Sequence, residues 1–508
     1  MRAQNLIFVT IAALLAAAPA QASVEINASP TKNMNCAGGT CSPTAKSAVL
    51  NTTDLANMLA TSDVKITTGN GAVTITVSGP FSWTSTHRLT LDANLNVSFR
   101  APVEVAGQGA VTIITSDGGT GGDVLFFPSG KLDFWDTGSN LVINGTSYTL
   151  VSDIASIASA YATGVNNIAV LALAKDYDAG PDGPYQNAAV PTDMEGQFEG
   201  LGHTISNLSV HGNGRGTGFF AQSNSGFSFI RDITLSNVNI VGGTNSLTGA
   251  LGGALHSVIT NTHASGHVSA GAGSSVGGLV GYSGQISNSD SSAIVTCTTH
   301  CNAGGLVGFG YQITRSSATG TVTVENAGVA GGLVGSLGNG QTLISQSYAT
   351  GDVFSNQTNN TEAMGGLAGS ALQDSTIVDS YALGAIHNAG TSSLGGLVGS
   401  GQADIISTSY ATGGVEVGAP CCKNGHAGGL VGYAYHPDAY KNDYWDIDTS
   451  GRTSGCGKHK PKDACRHVDG LSDAALKSAL PVGFNPAIWA QSPSINNGYP
   501  YLIANPPQ

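Results

Sequence analysis

The sequence predicts an all-β chain folded as a parallel β-helix, with short capping or connecting helices. Three observations carry this expectation. First, Gly-Gly-Leu-Val-Gly recurs at Gly277, Gly304, Gly331, Gly395 and Gly428, with variants at Gly252 (Gly-Gly-Ala-Leu) and Gly365 (Gly-Gly-Leu-Ala-Gly). Self-similarity at this period marks a repeat architecture. Second, each repeat carries another motif ten to fifteen residues later: Ser347-Tyr348-Ala349-Thr350-Gly351, Ser380-Tyr381-Ala382-Leu383-Gly384 and Ser409-Tyr410-Ala411-Thr412-Gly413. Weaker copies start at Ser316 and Thr262. Third, residues 245–440 show no sustained 3.6-residue apolar period, whereas short β-prone runs such as Thr321-Val322-Thr323-Val324 lie between Gly, Asn and Ser.

A coil of roughly 25 residues or more holds three short strands, and equivalent strands then stack about 4.8 Å apart. In that arrangement Leu279, Leu306, Leu333, Leu367, Leu397 and Leu430 form one interior ladder, and Ile286, Ile313, Ile344, Ile377 and Ile406 a second. The motif glycines are expected to supply positive φ and close backbone approach at corners. Unequal repeat lengths place insertions in the connecting loops.

Taken in order, residues 1–22 read as an export signal: Arg2, the apolar stretch Leu6–Ala17, then Ala20-Gln21-Ala22. Residues 23–150 form a β-rich, solenoid-like region, with strands at Val73–Val77 and Leu89–Leu91 and a short helix from Thr53 to Ala60. A connector spans 151–200; its helix runs from Ser152-Asp153 to Tyr161 with Ser152 as N-cap. The Asp176–Pro184 segment reads as an exposed loop whose aspartates lack the spacing of a known calcium loop. The repeats fill 201–450, and 451–508 is a capping segment with a helix from Ser472 to Leu480, ended before Pro481.

These motifs resemble the GLUG repeats of filamentous-haemagglutinin-like bacterial secreted and surface proteins, named for a core like Gly278-Leu279-Val280-Gly281. Such repeats also lie beside the peptidase domain of some immunoglobulin A peptidases. Leu141–Leu150 and Phe198–Leu208 resemble the lead-in to such arrays. Asp443–Gly451 resembles the last coil, and Gly470-Leu471-Ser472, Trp489 and Tyr499–Leu502 the closing segment. The resemblance covers roughly residues 50–505. It implies a GLUG-repeat β-helix and an adhesin-like role by surface contact, with no catalytic residue carried over.

Composition bounds the partners. The formal charge is −13, only 10% of residues are charged, and glycine alone supplies 71 positions. An acidic, charge-poor surface disfavours nucleic acid. The leader is short for a membrane span and no later apolar run reaches that length, so an integral membrane protein is not expected. The last residues, Ile503–Gln508, do not read as a barrel strand, which argues against a fused outer-membrane translocator. The expected location is extracellular or cell-surface, or periplasmic without further export.

All eight cysteines fall in close pairs, which an exported chain can oxidise. Cys301 and Cys421 precede motifs four coils apart, beyond disulfide reach, so local disulfides 36–41, 297–301 and 456–465 are expected, and Cys421-Cys422 is left open.

Candidate chemistry is sparse. Tyr348, Tyr381, Tyr410 and Tyr444 share one position in four consecutive coils and are the candidate ligand-binding residues. Facing water, their column would contact glycan or protein; facing inward, it is packing held by offset rings. Earlier coils place His263, Asp290 and Ser317 there. No catalytic or metal site and no cofactor is assigned. There is no His-Glu-x-x-His or Gly-x-Ser-x-Gly motif, and the nearest carboxylates in register, Asp374 and Asp404, read as turn residues. Cys456, His459, Cys465 and His467 could hold zinc only as free thiolates, and pairing is preferred. Arg452, Lys458, Lys460, Lys462 and Arg466 make a basic loop in an acidic chain. The expected function is contact with a glycan or protein ligand, without catalysis. The alternatives are a polysaccharide lyase or hydrolase and a purely structural repeat protein.

Overall fold

The structure, a computed structural model, describes residues 22–69, 72–116, 121–164, 168–356, 363–388, 393–402, 405–417, 426–435, 440–460 and 465–507. The expected leader before Ala22, together with Asp404, Cys421, Cys422 and Lys462, lies outside these residues. The chain is a parallel β-solenoid of about 15 turns, divided between two compact units. One comprises residues 1–130 with 142–146, the other residues 131–141 with 147–508.

The first unit has short coils. Ser23–Asn27 pairs in parallel with Ser47–Asn51 and Thr74–Val77, and the sheet continues through Val97–Phe99 to Val124–Phe126. Val64–Thr67, Arg88–Asp92 and Ala110–Ile114 stack as a second face, and Phe81–Trp83 with Pro102–Val105 as a third. Alternate residues such as Val24, Ile26, Ile75, Val77 and Leu91 point inward and are buried. Helix α1 (Thr52–Leu59) is capped by Asn51, whose side chain accepts from the Thr53 and Asp54 amides, and it buries Leu55 and Leu59. Cys36 and Cys41 face each other across a hairpin and are bonded.

In the second unit, helix α2 (Ile154–Thr163) forms where expected, but Asp153 rather than Ser152 caps it; the Asp153 carboxylate accepts the Ser156 amide at 2.7 Å. Its Ile157 and Tyr161 are buried. The 151–200 segment does more than connect: Ile168–Leu173 pairs in parallel with both Thr149–Val151 and Glu195–Glu199 and so belongs to the stack.

The expected ladders are present. Leu279 donates its amide to Leu306, and the same bond repeats through Leu333, Leu367 and Leu397 to Leu430 at 2.8–2.9 Å. Ile286, Ile313, Ile344, Ile377 and Ile406 are cross-coil partners. The first repeat, however, is set three residues earlier than its glycines suggest. Gly252 pairs with Val280, and Leu251 takes the leucine position, so the copy is Gly249-Ala250-Leu251-Gly252-Gly253.

Of the two roles expected of the motif glycines, close backbone approach is present and positive φ is not. None of the motif glycines from Gly277 to Gly432 has positive φ. They are required because stacked coils leave no room for a side chain. A Cβ on Gly305, Gly332, Gly366 or Gly396 would overlap the carbonyl oxygen of the equivalent glycine one coil on. It would also lie 2.8–3.0 Å from the Cβ of Ala318, Ala349, Ala382 or Ala411, the alanine of the same repeat's second motif. The two motifs travel together because they meet across the narrowest part of the coil. The left-handed corner falls instead on Asn261, Asn288, Arg315, Gln346, Asp379, Thr408 and Asn442, with φ of 47–56°.

The residue after that corner forms a buried polar ladder. The hydroxyls of Ser289, Ser316, Ser347, Ser380 and Ser409 each accept the amide of the equivalent residue in the preceding coil at 3.1–3.3 Å. Each donates to the carbonyl two residues before it. Asp443 ends the series, taking the Ser409 and Lys441 amides on its two oxygens. Burial drives its carboxyl well above the usual range, against those two bonds.

Two outcomes follow for stability. Gly366→Ala is expected to lose about 3 kcal/mol or more in urea denaturation, the upper end of overpacking, because the clash is with backbone that cannot turn aside. Ser380→Ala, which strands the Ser347 amide, is expected to lose about 1–3 kcal/mol.

Candidate functional site

The tyrosine position is a true column. Strand pairing runs His263–Asp290–Ser317–Tyr348–Tyr381–Tyr410–Tyr444. Successive tyrosine rings stack nearly parallel, with centroids 4.9 Å apart for Tyr348–Tyr381 and 5.1 Å for Tyr381–Tyr410.

The tyrosines of this column do not face solvent, contrary to the exposure a ligand face needs. Tyr348, Tyr381, Tyr410 and Tyr444 are all buried, in one cluster with Leu476, Phe484, Trp489, Tyr499 and Leu502. The C-terminal segment therefore covers the position that sequence reasoning assigned to ligand. Tyr410 donates to the Pro500 carbonyl at 2.6 Å and accepts from Asn496; Tyr444 donates to Val482 at 2.8 Å. Trp489 bonds Asp379 through its indole N–H, and Tyr499 bonds Asp473 and Asp446. Burial pushes the Tyr381 and Tyr410 hydroxyls well above their ordinary range. Helix α3 (Asp473–Leu476) is shorter than the expected 472–480, with Ser472 capping it; irregular chain makes most of the cover.

Where the cover ends, the column opens. His263, Asp290 and Arg315 line a hollow of about 220 Å³ with Asn288, Asn505 and Pro506. His263 Nδ1 meets the Asp290 carboxylate at 2.5 Å. Burial alone would lower the His263 pKa, but this hydrogen bond, the charge of Asp290 and that of Asp232 together raise it.

The other candidates resolve into pairs. Cys297–Cys301 and Cys456–Cys465 are disulfides, so the Cys456–His467 cluster does not supply thiolates. Among the described residues no group of three or more His, Cys, Asp or Glu is placed to hold a metal. In the Asp176–Pro184 loop, Asp176 binds Lys131 and His203, Asp178 binds Asn207, and Asp182 accepts from Tyr177 and Tyr185. The His203 bond, aided by Lys131, holds the Asp176 carboxyl far below its usual range. Glu199 and Asp232, both buried, share Arg231, whose Nε lies 3.1 and 2.7 Å from them. Of the basic loop, Lys458 places its ammonium 5.2 Å from the centre of the Tyr433 ring.

Sequence reasoning missed a second aromatic column, on the outside. The residues directly after the Gly-Gly-Leu motifs, Tyr282, Phe309, Ser336, Ser370, Ser400 and Tyr433, pair in register. Tyr282 and Phe309 are half-buried, stacked at 5.7 Å with rings 4° apart, and Tyr311 closes edge-on against both. Burial, with the hydrogen bond to Tyr311, pushes the Tyr282 hydroxyl up to about 12. Tyr433 and Tyr435 form a smaller cluster farther along. The signal in the sequence was partial: the position after the repeated glycine is aromatic at Tyr282, Phe309 and Tyr433 and serine at Ser336, Ser370 and Ser400.

No protein-family profile matches this chain, and no curated protein matches it. Among solved structures, it is similar to a candidate immunoglobulin A1 protease from Bacteroides ovatus, at 15% identity and a TM-score of 0.41, over 70% of this chain and 93% of that one. Among the described residues no helix is long and apolar enough to cross a membrane.

Two measurements check this geometry. Tyr410→Phe is expected to lower stability by about 1 kcal/mol, because the Pro500 carbonyl keeps Asn496 but loses its second donor, and Asn496 loses an acceptor. Tyr381→Phe is expected to cost nothing or to stabilise, because the buried Tyr381 hydroxyl has no partner among the described residues. In an NMR titration, His263 is expected to titrate above the free value of about 6.5, and lower in Asp290→Asn. Because the folded pKa is the raised one, the stabilisation from this pair is complete below the unfolded value and fades as pH rises through the folded value.

Proposed function

We propose that this protein is an exported, adhesin-like β-helix that acts by contact with an extended ligand and not by catalysis. One observation supports this most directly: half-exposed aromatic rings of neighbouring coils align on an outer strand face, while the tyrosines of the covered column are committed to packing. Aligned outward columns let a long ligand make many weak contacts that sum along the coil stack. The resemblance to GLUG-repeat surface proteins and the three local disulfides support export.

The His263–Asp290 pair in an open hollow supports a second reading, polysaccharide cleavage with His263 as acid. Purified protein incubated with immobilised glycans and matrix proteins, with bound protein and released oligosaccharide read in the same wells, separates the two. Saturable binding without release is the expected result. Release that disappears in His263→Asn would replace contact with catalysis.

A further inference from the structure

The outer aromatic column ends beside a second hollow, and together they define a ligand chemistry. Gln312 follows Tyr311 directly and lines a shallow hollow of about 320 Å³ with Gln341, Thr342, Leu343, Asp374 and Thr376. The turn that begins at Gly338 joins the two features. A Cβ on Gly338 would lie 2.6 Å from the Tyr311 ring, so that ring rests directly on the turn, while Gln341 at the turn's other end walls the hollow. Gln312 also holds the turn by donating to the Gln341 carbonyl at 3.3 Å. Strand pairing places Gln285, Gln312, Leu343, Thr376 and Ile405 in one outward row alongside the aromatic column. The Asp374 carboxylate makes no hydrogen bond or ion pair with the described residues.

We propose that this face binds a neutral, extended polysaccharide, with sugar rings packed against Phe309 and Tyr311 and their hydroxyls bonded to Gln312, Asp374 and Thr376. The inference rests on the contact reading above and names its site and ligand class. Aromatic rings give a sugar the apolar surface its axial C–H groups require, and amide, carboxylate and hydroxyl groups bond its hydroxyls. The recurrence matches too: coils repeat about every 4.8 Å, of the same order as one ring of an extended sugar chain. Charge selects the neutral class. Asp374 is the charged residue of the hollow, and the protein carries a formal charge of −13, so an acidic chain is repelled.

Calorimetric titration of the full protein with cellohexaose and chitohexaose, with hexagalacturonate and with soluble collagen tests this. The expected result is binding of a neutral hexamer, weakened at least tenfold in Phe309→Ala and measurably in Gln312→Ala. Phe354→Ala, which removes a ring stacked on His387 elsewhere, is expected to bind as the unaltered protein does. Gln312 is on the surface, so its variant keeps the test open if Phe309→Ala fails to fold. Neutral-glycan binding that survives both substitutions overturns the site. Binding of hexagalacturonate or collagen alone overturns the ligand class and leaves the contact reading standing. Binding of none overturns both.

Discussion

The close approach of backbone to backbone at the motif glycines is the constraint on which the rest of the fold depends. At Gly305, Gly332, Gly366 and Gly396, the carbonyl of the next coil and the alanine methyl of the same coil fill the space a side chain would need. This narrows the coil at one point and fixes the register of everything beside it. With the glycine and alanine locked together, the leucine between them faces inward in every turn, and the serine two residues before the alanine meets the serine of the next coil. The apolar and polar ladders are thus set by one steric contact rather than by separate choices. The end of the series follows the same logic: at Gly429 the facing residue is Trp445 in place of alanine, and its indole occupies that narrow point. Asp443 replaces the terminal serine and caps the hydrogen-bond ladder.

That construction leaves little room for chemistry inside. The interior is filled by branched aliphatic side chains and small residues, and the buried charged groups are tied to partners, as in Glu199, Arg231 and Asp232. The column that stacks four tyrosines does so under Leu476, Phe484, Trp489, Tyr499 and Leu502 of the C-terminal segment, and the rings then serve as a second core between solenoid and cover. Ring stacking at about 5 Å, the coil spacing itself, makes such a column self-consistent in each turn. What remains open to a ligand is the outside of the strands and the short hollows where cover or turns end.

Much of the fold was legible in the sequence, because a periodic constraint writes itself periodically. Gly-Gly-Leu recurring at intervals of similar length pointed to the coil, the following isoleucines to the second ladder, and the close spacing of cysteine pairs to the three local disulfides. The column containing Tyr348 was also aligned correctly down to His263 and Asp290. Its exposure was not legible, since the covering residues Phe484, Trp489 and Tyr499 belong to no repeat and lie far along the chain. The serine ladder was visible as a motif letter, but its hydrogen bonds join different coils. The left-handed corners were hidden for another reason: they are carried by Asn, Arg, Gln, Asp and Thr, and attention to glycine passes over them. Tyr282, Phe309 and Tyr433 share a motif position with three serines, so no single residue type announced the outer column.

The account stands on which tyrosines meet the solvent, and hydroxyl-radical footprinting with residue-level mass spectrometry reads that directly. Tyr282, Tyr311, Tyr433 and Tyr435 are expected to oxidise readily, while Tyr348, Tyr381, Tyr410 and Tyr444 stay protected in the folded protein. Ready oxidation of Tyr381 and Tyr410 would contradict the covering role of the C-terminal segment and return the ligand face to the inner tyrosine column.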